Sequence, residues 1–64
     1  MNRHLTDMII KYEMGELKDD PAAVLALFQE LIDTGLAWQL QGYYGRAAQA
    51  FITAGYCTRP SENT

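Results

Sequence analysis

Thr34-Gly35-Leu36-Ala37-Trp38-Gln39-Leu40-Gln41-Gly42-Tyr43-Tyr44-Gly45-Arg46 is the stretch on which the fold turns. From Thr34 to Thr58 the chain carries one formal charge, Arg46, and five of its seven aromatic residues: Trp38, Tyr43, Tyr44, Phe51 and Tyr56. A soluble domain scatters charge over its exposed faces, so a span with a single cation is either packed inside or turned toward a partner. Gly35 and Gly42 punctuate it, and Gly42-Tyr43 reads as the turn between two helices.

Upstream, Val24, Phe28, Leu31, Gly35 and Trp38 recur at helical spacing, with Leu25, Ile32, Leu36 and Leu40 on a second stripe beside them. Ala26, Glu30, Asp33, Ala37 and Gln41 remain as a narrow solvent face. An element apolar on two flanks needs a neighbour on each, which makes this the central helix. Asp20-Pro21 marks its start: the aspartate can accept from the first free amides, and proline sits where a missing N–H costs nothing. The pattern predicts a helix over about 20–41 that kinks or breaks at Gly35, because a mid-helix glycine costs about 1 kcal/mol relative to alanine.

Downstream, a third helix is expected from about Tyr44 to Gly55. Tyr44, Ala47, Phe51 and Ala54 form its inward stripe and Arg46, Gln49 and Thr53 its outward one. At the other end of the chain, Leu5, Met8, Ile9 and Tyr12 make a first amphipathic helix over about 4–14, with Gly15 as its stop and Thr6 or Asn2 as its cap. Glu16-Leu17-Lys18-Asp19 reads as a polar connector, and residues 57–64 as a frayed tail. The whole is one all-α domain spanning 1–64, its last two helices an antiparallel hairpin. Phe28, Leu31, Gly35, Trp38, Tyr44, Ala47 and Phe51 are its expected core.

A 64-residue chain has room for one domain, which buries only about 60% of the surface its unfolded form exposes. One cysteine, Cys57, permits no internal disulfide, and one histidine leaves no zinc set within a chain. Helix packing and self-association are left to stabilise it. The net charge is −3, and the five cations, Arg3, Lys11, Lys18, Arg46 and Arg59, are dispersed. That argues against nucleic acid, including a helix-turn-helix reader built from the last two helices. No run approaches the roughly 18 apolar residues of a membrane span and no apolar signal core follows Met1, so a cytosolic setting is expected.

Leu31, Gly35, Trp38, Gly42, Tyr44, Ala47, Phe51 and Ala54 fall in the register of a single tetratricopeptide repeat, and residues 31–54 resemble that helical hairpin. The resemblance departs at Thr34, where the family has leucine, and at Pro60, one residue late. It implies Gly35 facing Ala47, with Trp38 and Phe51 packed around the contact. The block Leu31-Ile32-Asp33-Thr34-Gly35-Leu36-Ala37-Trp38-Gln39-Leu40-Gln41-Gly42-Tyr43-Tyr44-Gly45-Arg46, with Glu16-Leu17 upstream, also resembles a family of small phage and prophage proteins without assigned function. That likeness implies expression in an infected bacterial cytoplasm and carries no catalytic residues.

Nucleophilic catalysis needs a nucleophile, a base and an orienting group held together. The candidates Cys57, Ser61 and His4 lie near the termini, so no catalytic residue, metal or cofactor is expected. Glu30 and Asp33 share a face that reads as solvated. Tyr43 lies off the inward stripe beside the only local cation, which is the composition of an interface hot spot. Arg46 either pairs with Asp33 or Glu30, caps a carbonyl, or meets a partner. Gln41, Tyr43, Arg46 and Gln49 are thus the expected partner-binding residues. The leading expectation is a non-enzymatic, homo-oligomeric phage protein that binds and alters a host protein such as a defence component. The alternative is an oligomer that sequesters a nucleotide-like small molecule, with Arg46 on its phosphate and Tyr43 on its base.

Overall fold

The computed structural model describes residues 3–60. Helix α1 spans Arg3–Glu13, α2 Pro21–Thr34 and α3 Gly42–Thr53, with a short 3₁₀ turn at Leu36–Trp38 between the last two. The fold is all-α, as the helical periodicities require. Asp20 caps α2 by accepting from the Ala23 amide at 3.1 Å, with Pro21 at the first helical position. At the end of α1, the Glu16 amide donates to the Lys11 carbonyl and the Gly15 amide to Tyr12, the paired bonds of a glycine-terminated helix. Asn2, an expected cap, lies outside the described residues, and Thr6 sits within α1.

The expected break at Gly35 is real and sharp. Gly35 adopts φ +82°, ψ −2°, a left-handed conformation that glycine reaches without the steric cost of a Cβ, and its amide donates to the Ile32 carbonyl. Thr34 reinforces the stop. Its hydroxyl donates back to the Glu30 carbonyl at 2.9 Å and accepts weakly from the Leu36 amide at 3.4 Å. The chain leaves on a different axis and winds one 3₁₀ turn before α3 starts at Gly42, two residues earlier than the spacing predicted.

This break resets the helical phase and corrects three expectations. Ala37, assigned to the solvent face of a continuous helix, is 1% exposed and enters the core. Trp38, assigned to the core, is 48% exposed. Gly35 faces no neighbour: a Cβ built on it would meet nothing within 4 Å, so the Gly35–Ala47 contact implied by the tetratricopeptide likeness is not made. The close approach occurs at Gly45 instead, where a Cβ would lie 3.5 Å from the Ala37 carbonyl oxygen and 3.7 Å from the Trp38 ring.

The core is an aromatic chain between the helices. Phe28 of α2 is fully buried and meets Tyr12 of α1 edge-on at 5.5 Å, Phe51 of α3 at 5.1 Å and Tyr44 of α3 at 5.9 Å. Edge-to-face pairs add about 0.5–1.5 kcal/mol beyond area burial, so one side chain of α2 ties all three helices together. Leu5, Leu27, Leu31 and Ile32 are buried around it, and Ala47 and Phe51 pack against them partly buried. Leu27, placed on neither predicted stripe, lies at helical spacing between Val24 and Leu31 and is 1% exposed.

Two segments read as polar or frayed carry core residues. Leu17 of the connector is 7% exposed, and Cys57 beyond α3 is 3% exposed. Gln29 holds the second segment in place: its side-chain amide donates to the Thr58 carbonyl at 2.9 Å and accepts from the Thr58 amide at 3.0 Å. The pairing mimics a strand bridge from within a helix. Cys57 and Thr58 are therefore docked on α2, and 61–64 lie outside the described residues.

Gly35→Ala forces a residue with a Cβ into the left-handed region and is expected to cost about 1–2 kcal/mol. Urea unfolding monitored by circular dichroism measures this. An unchanged midpoint would mean that α2 does not end at Thr34.

Candidate surface for a protein partner

Two features of the α3 start differ from the reading of a single exposed Tyr43–Arg46 pair. Tyr43 is held from two sides. Its ring stacks on Tyr44 at 4.4 Å and its hydroxyl donates to a Glu13 carboxylate oxygen at 2.9 Å, bridging α3 to the end of α1. At 36% exposure it is as much a bracket between helices as a free contact. The Tyr44 hydroxyl acts to lower the Tyr43 phenol, but desolvation and the Glu13 carboxylate outweigh it, and the net shift is upward. Tyr44 itself is 2% exposed, and its hydroxyl is buried without a partner of hydrogen-bonding geometry. Burial, followed by the influence of Tyr43 and Glu13, pushes its phenol strongly up.

Arg46 answers the question left open by the sequence: among the described residues no carboxylate pairs with it. Its guanidinium folds back along α3, and a Cβ at Gly42 would lie 3.3 Å from one of its terminal nitrogens. Gln41 precedes α3 as its N-terminal flanking residue and makes no side-chain cap. Gln49, one turn beyond Arg46, donates weakly to the Thr53 hydroxyl at 3.5 Å and accepts from the Arg59 guanidinium at 3.1 Å. Arg59 is thereby brought to the Gln49 face of α3 from 10 positions down the chain. That juxtaposition depends on the docking of Cys57 and Thr58, which the sequence did not reveal.

Trp38 completes the face and was missed by the sequence reading. Its ring stands against the Gly45 side of α3, half exposed, and it is the chain's single tryptophan. Indoles are usually largely buried, so one left half exposed is the main anomaly of the surface. Gln41, Tyr43, Arg46 and Gln49 are exposed at the start and middle of α3, and the Trp38 ring stands against Gly45 of the same helix. Trp, Tyr and Arg are the residue types that dominate interface energetics.

The larger concavity is elsewhere. An open groove of about 440 Å³ runs between the start of α2 and the end of α3, lined by Lys18, Pro21, Val24, Leu25, Phe51 and Tyr56. It holds no cluster of polar groups that could orient a reaction. Among the described residues no group of three His, Cys, Asp or Glu could hold a metal ion. Cys57 donates weakly to the Leu25 carbonyl at 3.8 Å, and burial, aided by Asp33, pushes its thiol up. Its burial and its contact with the Leu25 carbonyl give Cys57 a packing role between α2 and the segment after α3.

Tyr44→Phe removes a buried hydroxyl that makes no bond and should leave stability unchanged or raise it by up to about 1 kcal/mol. A loss above about 1 kcal/mol in urea would show that the hydroxyl is satisfied in solution. Cys57, Tyr43 and Tyr44 all have folded pKa values above their ordinary ones, so each favours the folded state while protonated. Their contribution is complete below about pH 9, the ordinary value for the thiol, and is lost as pH rises beyond it. Thermal unfolding across pH 7–11 is expected to show a falling midpoint only above about pH 9; a midpoint that rises there contradicts the assignment.

No helix among the described residues is long and apolar enough to cross a membrane. No curated protein and no solved structure matches the chain. One family model covers residues 1–64, and it is described as a domain of unknown function (DUF7417). The chain belongs to this DUF7417 family, whose model matches it over residues 1–64.

Proposed function

We propose that this protein is a non-enzymatic interaction module that binds another protein through the Trp38–Arg46 face of α3. The observation that carries the reading is the half-exposed Trp38, whose ring stands against Gly45, the residue before Arg46, a cation with which among the described residues no carboxylate pairs. An exposed indole gains most when a partner covers it, and a neighbouring guanidinium gives the contact direction. The resemblance of the Leu31–Arg46 block to phage and prophage proteins supports a host protein as the partner, in the cytoplasm of an infected bacterium, and a defence component as one kind of target.

Self-association is part of the proposal. Ile10, Met14, Trp38 and Tyr56 all remain substantially exposed, more large apolar surface than a domain of this size needs to leave uncovered. Ile10 and Met14 lie one helical turn apart at the end of α1, away from the core stripe. A pairing of copies there leaves the Trp38 face available.

The experiment is a pull-down from bacterial lysate with native and Trp38→Ala bait, each first sized by light scattering. The expected result is a mass at least twice that of the monomer for both baits, and a bound host protein lost, by tenfold or more, only with Trp38→Ala. Equal recovery by both baits would place the interface elsewhere. Recovery of nothing above background would overturn the interaction reading, and a monomer at micromolar concentration would overturn self-association.

A further inference from the structure

Two turns of the chain each bury one residue and leave its neighbour outside. In the turn after α1, Leu17 is buried, its carbonyl accepts from the Asp20 amide at 3.0 Å, and Lys18 next to it is exposed. In the turn after α3, Gly55 takes φ +86° and the Tyr56 amide donates to the Phe51 carbonyl at 2.9 Å, which turns the chain back toward the end of the helix. Cys57 is buried there, and Tyr56 keeps 67% of its surface exposed. The two buried anchors thus hold Lys18 and Tyr56 at the open groove of about 440 Å³, which Pro21, Val24, Leu25 and Phe51 also line.

The fold does not use this lining up. Val24, Leu25 and Phe51 pack on the core yet stay only partly buried, so the groove has an apolar, accessible wall. Among the described residues no carboxylate pairs with the Lys18 ammonium, and the Tyr56 hydroxyl makes no hydrogen bond. None of the six lining residues is acidic. Pockets for small organic molecules run from about 300 to 1,000 Å³ and are mostly apolar, with a few polar groups that fix orientation. One cation, one phenol and an apolar remainder match that description. The segment Ser61-Glu62-Asn63-Thr64 brings no apolar side chain to cover the groove.

Charge narrows the ligand further. Asp19 and Asp20 follow Lys18 in the chain, and the Asp20 carboxylate is already engaged as the α2 cap, accepting from the Ala23 amide at 3.1 Å. A doubly charged phosphate would have one cation to meet and two acids near it, whereas a single carboxylate needs only the one ammonium. Neither acid lines the groove, so a cationic head finds no partner in it.

We infer that this groove binds a small monocarboxylate with an apolar tail, of the fatty-acid type. The tail lies along Val24, Leu25 and Phe51, and the head meets the Lys18 ammonium and the Tyr56 hydroxyl. The site draws on no residue of the Trp38 face and goes beyond the interaction reading. Affinity comes mainly from the tail, because an exposed ammonium adds little to a carboxylate in water.

The full chain, isotope-labelled, is titrated with butanoate, hexanoate and octanoate, with octylammonium as the charge control, and amide chemical shifts are followed by NMR. The expected result is saturable movement of the Val24, Leu25, Phe51 and Tyr56 amides with octanoate at millimolar concentration. Binding should tighten about fivefold with each step of the series, somewhat less than full burial of the added methylenes would give. Lys18→Gln should weaken octanoate about three- to fivefold, the range of one exposed ion pair. Lys18→Glu should turn the preference toward octylammonium, an exchange that a merely structural lysine would not produce. Tyr56→Ala should weaken octanoate by about the same factor as Lys18→Gln. Both residues are exposed, so the melting temperature of each variant should match that of the native protein.

Unmoved groove amides, equal binding of octanoate and octylammonium, or native octanoate affinity in Lys18→Gln would each overturn the inference. Groove amides that shift on dilution of the ligand-free protein and do not answer to octanoate would overturn it in favour of a second copy of the chain.

Discussion

The left-handed turn at Gly35 is the constraint from which the rest of the surface follows. A continuous helix through that point would have carried Trp38 into the core on the stripe of Phe28 and Leu31, and Ala37 to solvent. With α2 stopped at Thr34 by Gly35 and the Thr34 hydroxyl, the intervening 3₁₀ turn swaps the two: alanine packs inside and the indole is left outside. One glycine conformation thus converts a would-be core residue into the most conspicuous group on the exterior.

What replaces the indole in the core is the set of rings around Phe28. Because Phe28 touches Tyr12, Tyr44 and Phe51, a single buried phenylalanine ties the three helices together without an internal disulfide. The same cluster positions the residues proposed to meet a partner. Tyr44 anchors the first turn of α3 from inside, Tyr43 stacks on it and reaches Glu13, and Arg46 and Gln49 are thereby aimed outward on the following turns.

The helices were legible because their signals are local. Asp20-Pro21 at the start of α2, Gly15 and Gly55 at two stops, and the Leu5, Phe28 and Tyr44 stripes each depend on residues within a turn or two. What could not be read depends on distant parts of the chain. Ala37 and Trp38 exchanged places because the phase after Gly35 is set by how the 3₁₀ turn seats on α2 and α3. Cys57 and Leu17, in segments of polar composition, are drawn inward by a core built from other helices. Gln29 looked unremarkable until Thr58 came to lie against it. Of the four residues expected at the interface, Gln41, Arg46 and Gln49 are exposed around α3 while Tyr43 is half committed to Glu13, and Trp38, the strongest candidate, was the one assigned to the interior.

The direct test of this account is the state of Trp38 in the free protein. Acrylamide quenching and the emission maximum of the single tryptophan, followed by dilution to the lowest detectable concentration, report whether the indole is outside. A red-shifted maximum and efficient quenching, close to those of a solvated indole, are the predicted result. A blue-shifted, quencher-resistant emission that persists on dilution would mean that Trp38 is packed inside the monomer, and that the helix does not turn at Gly35 as described.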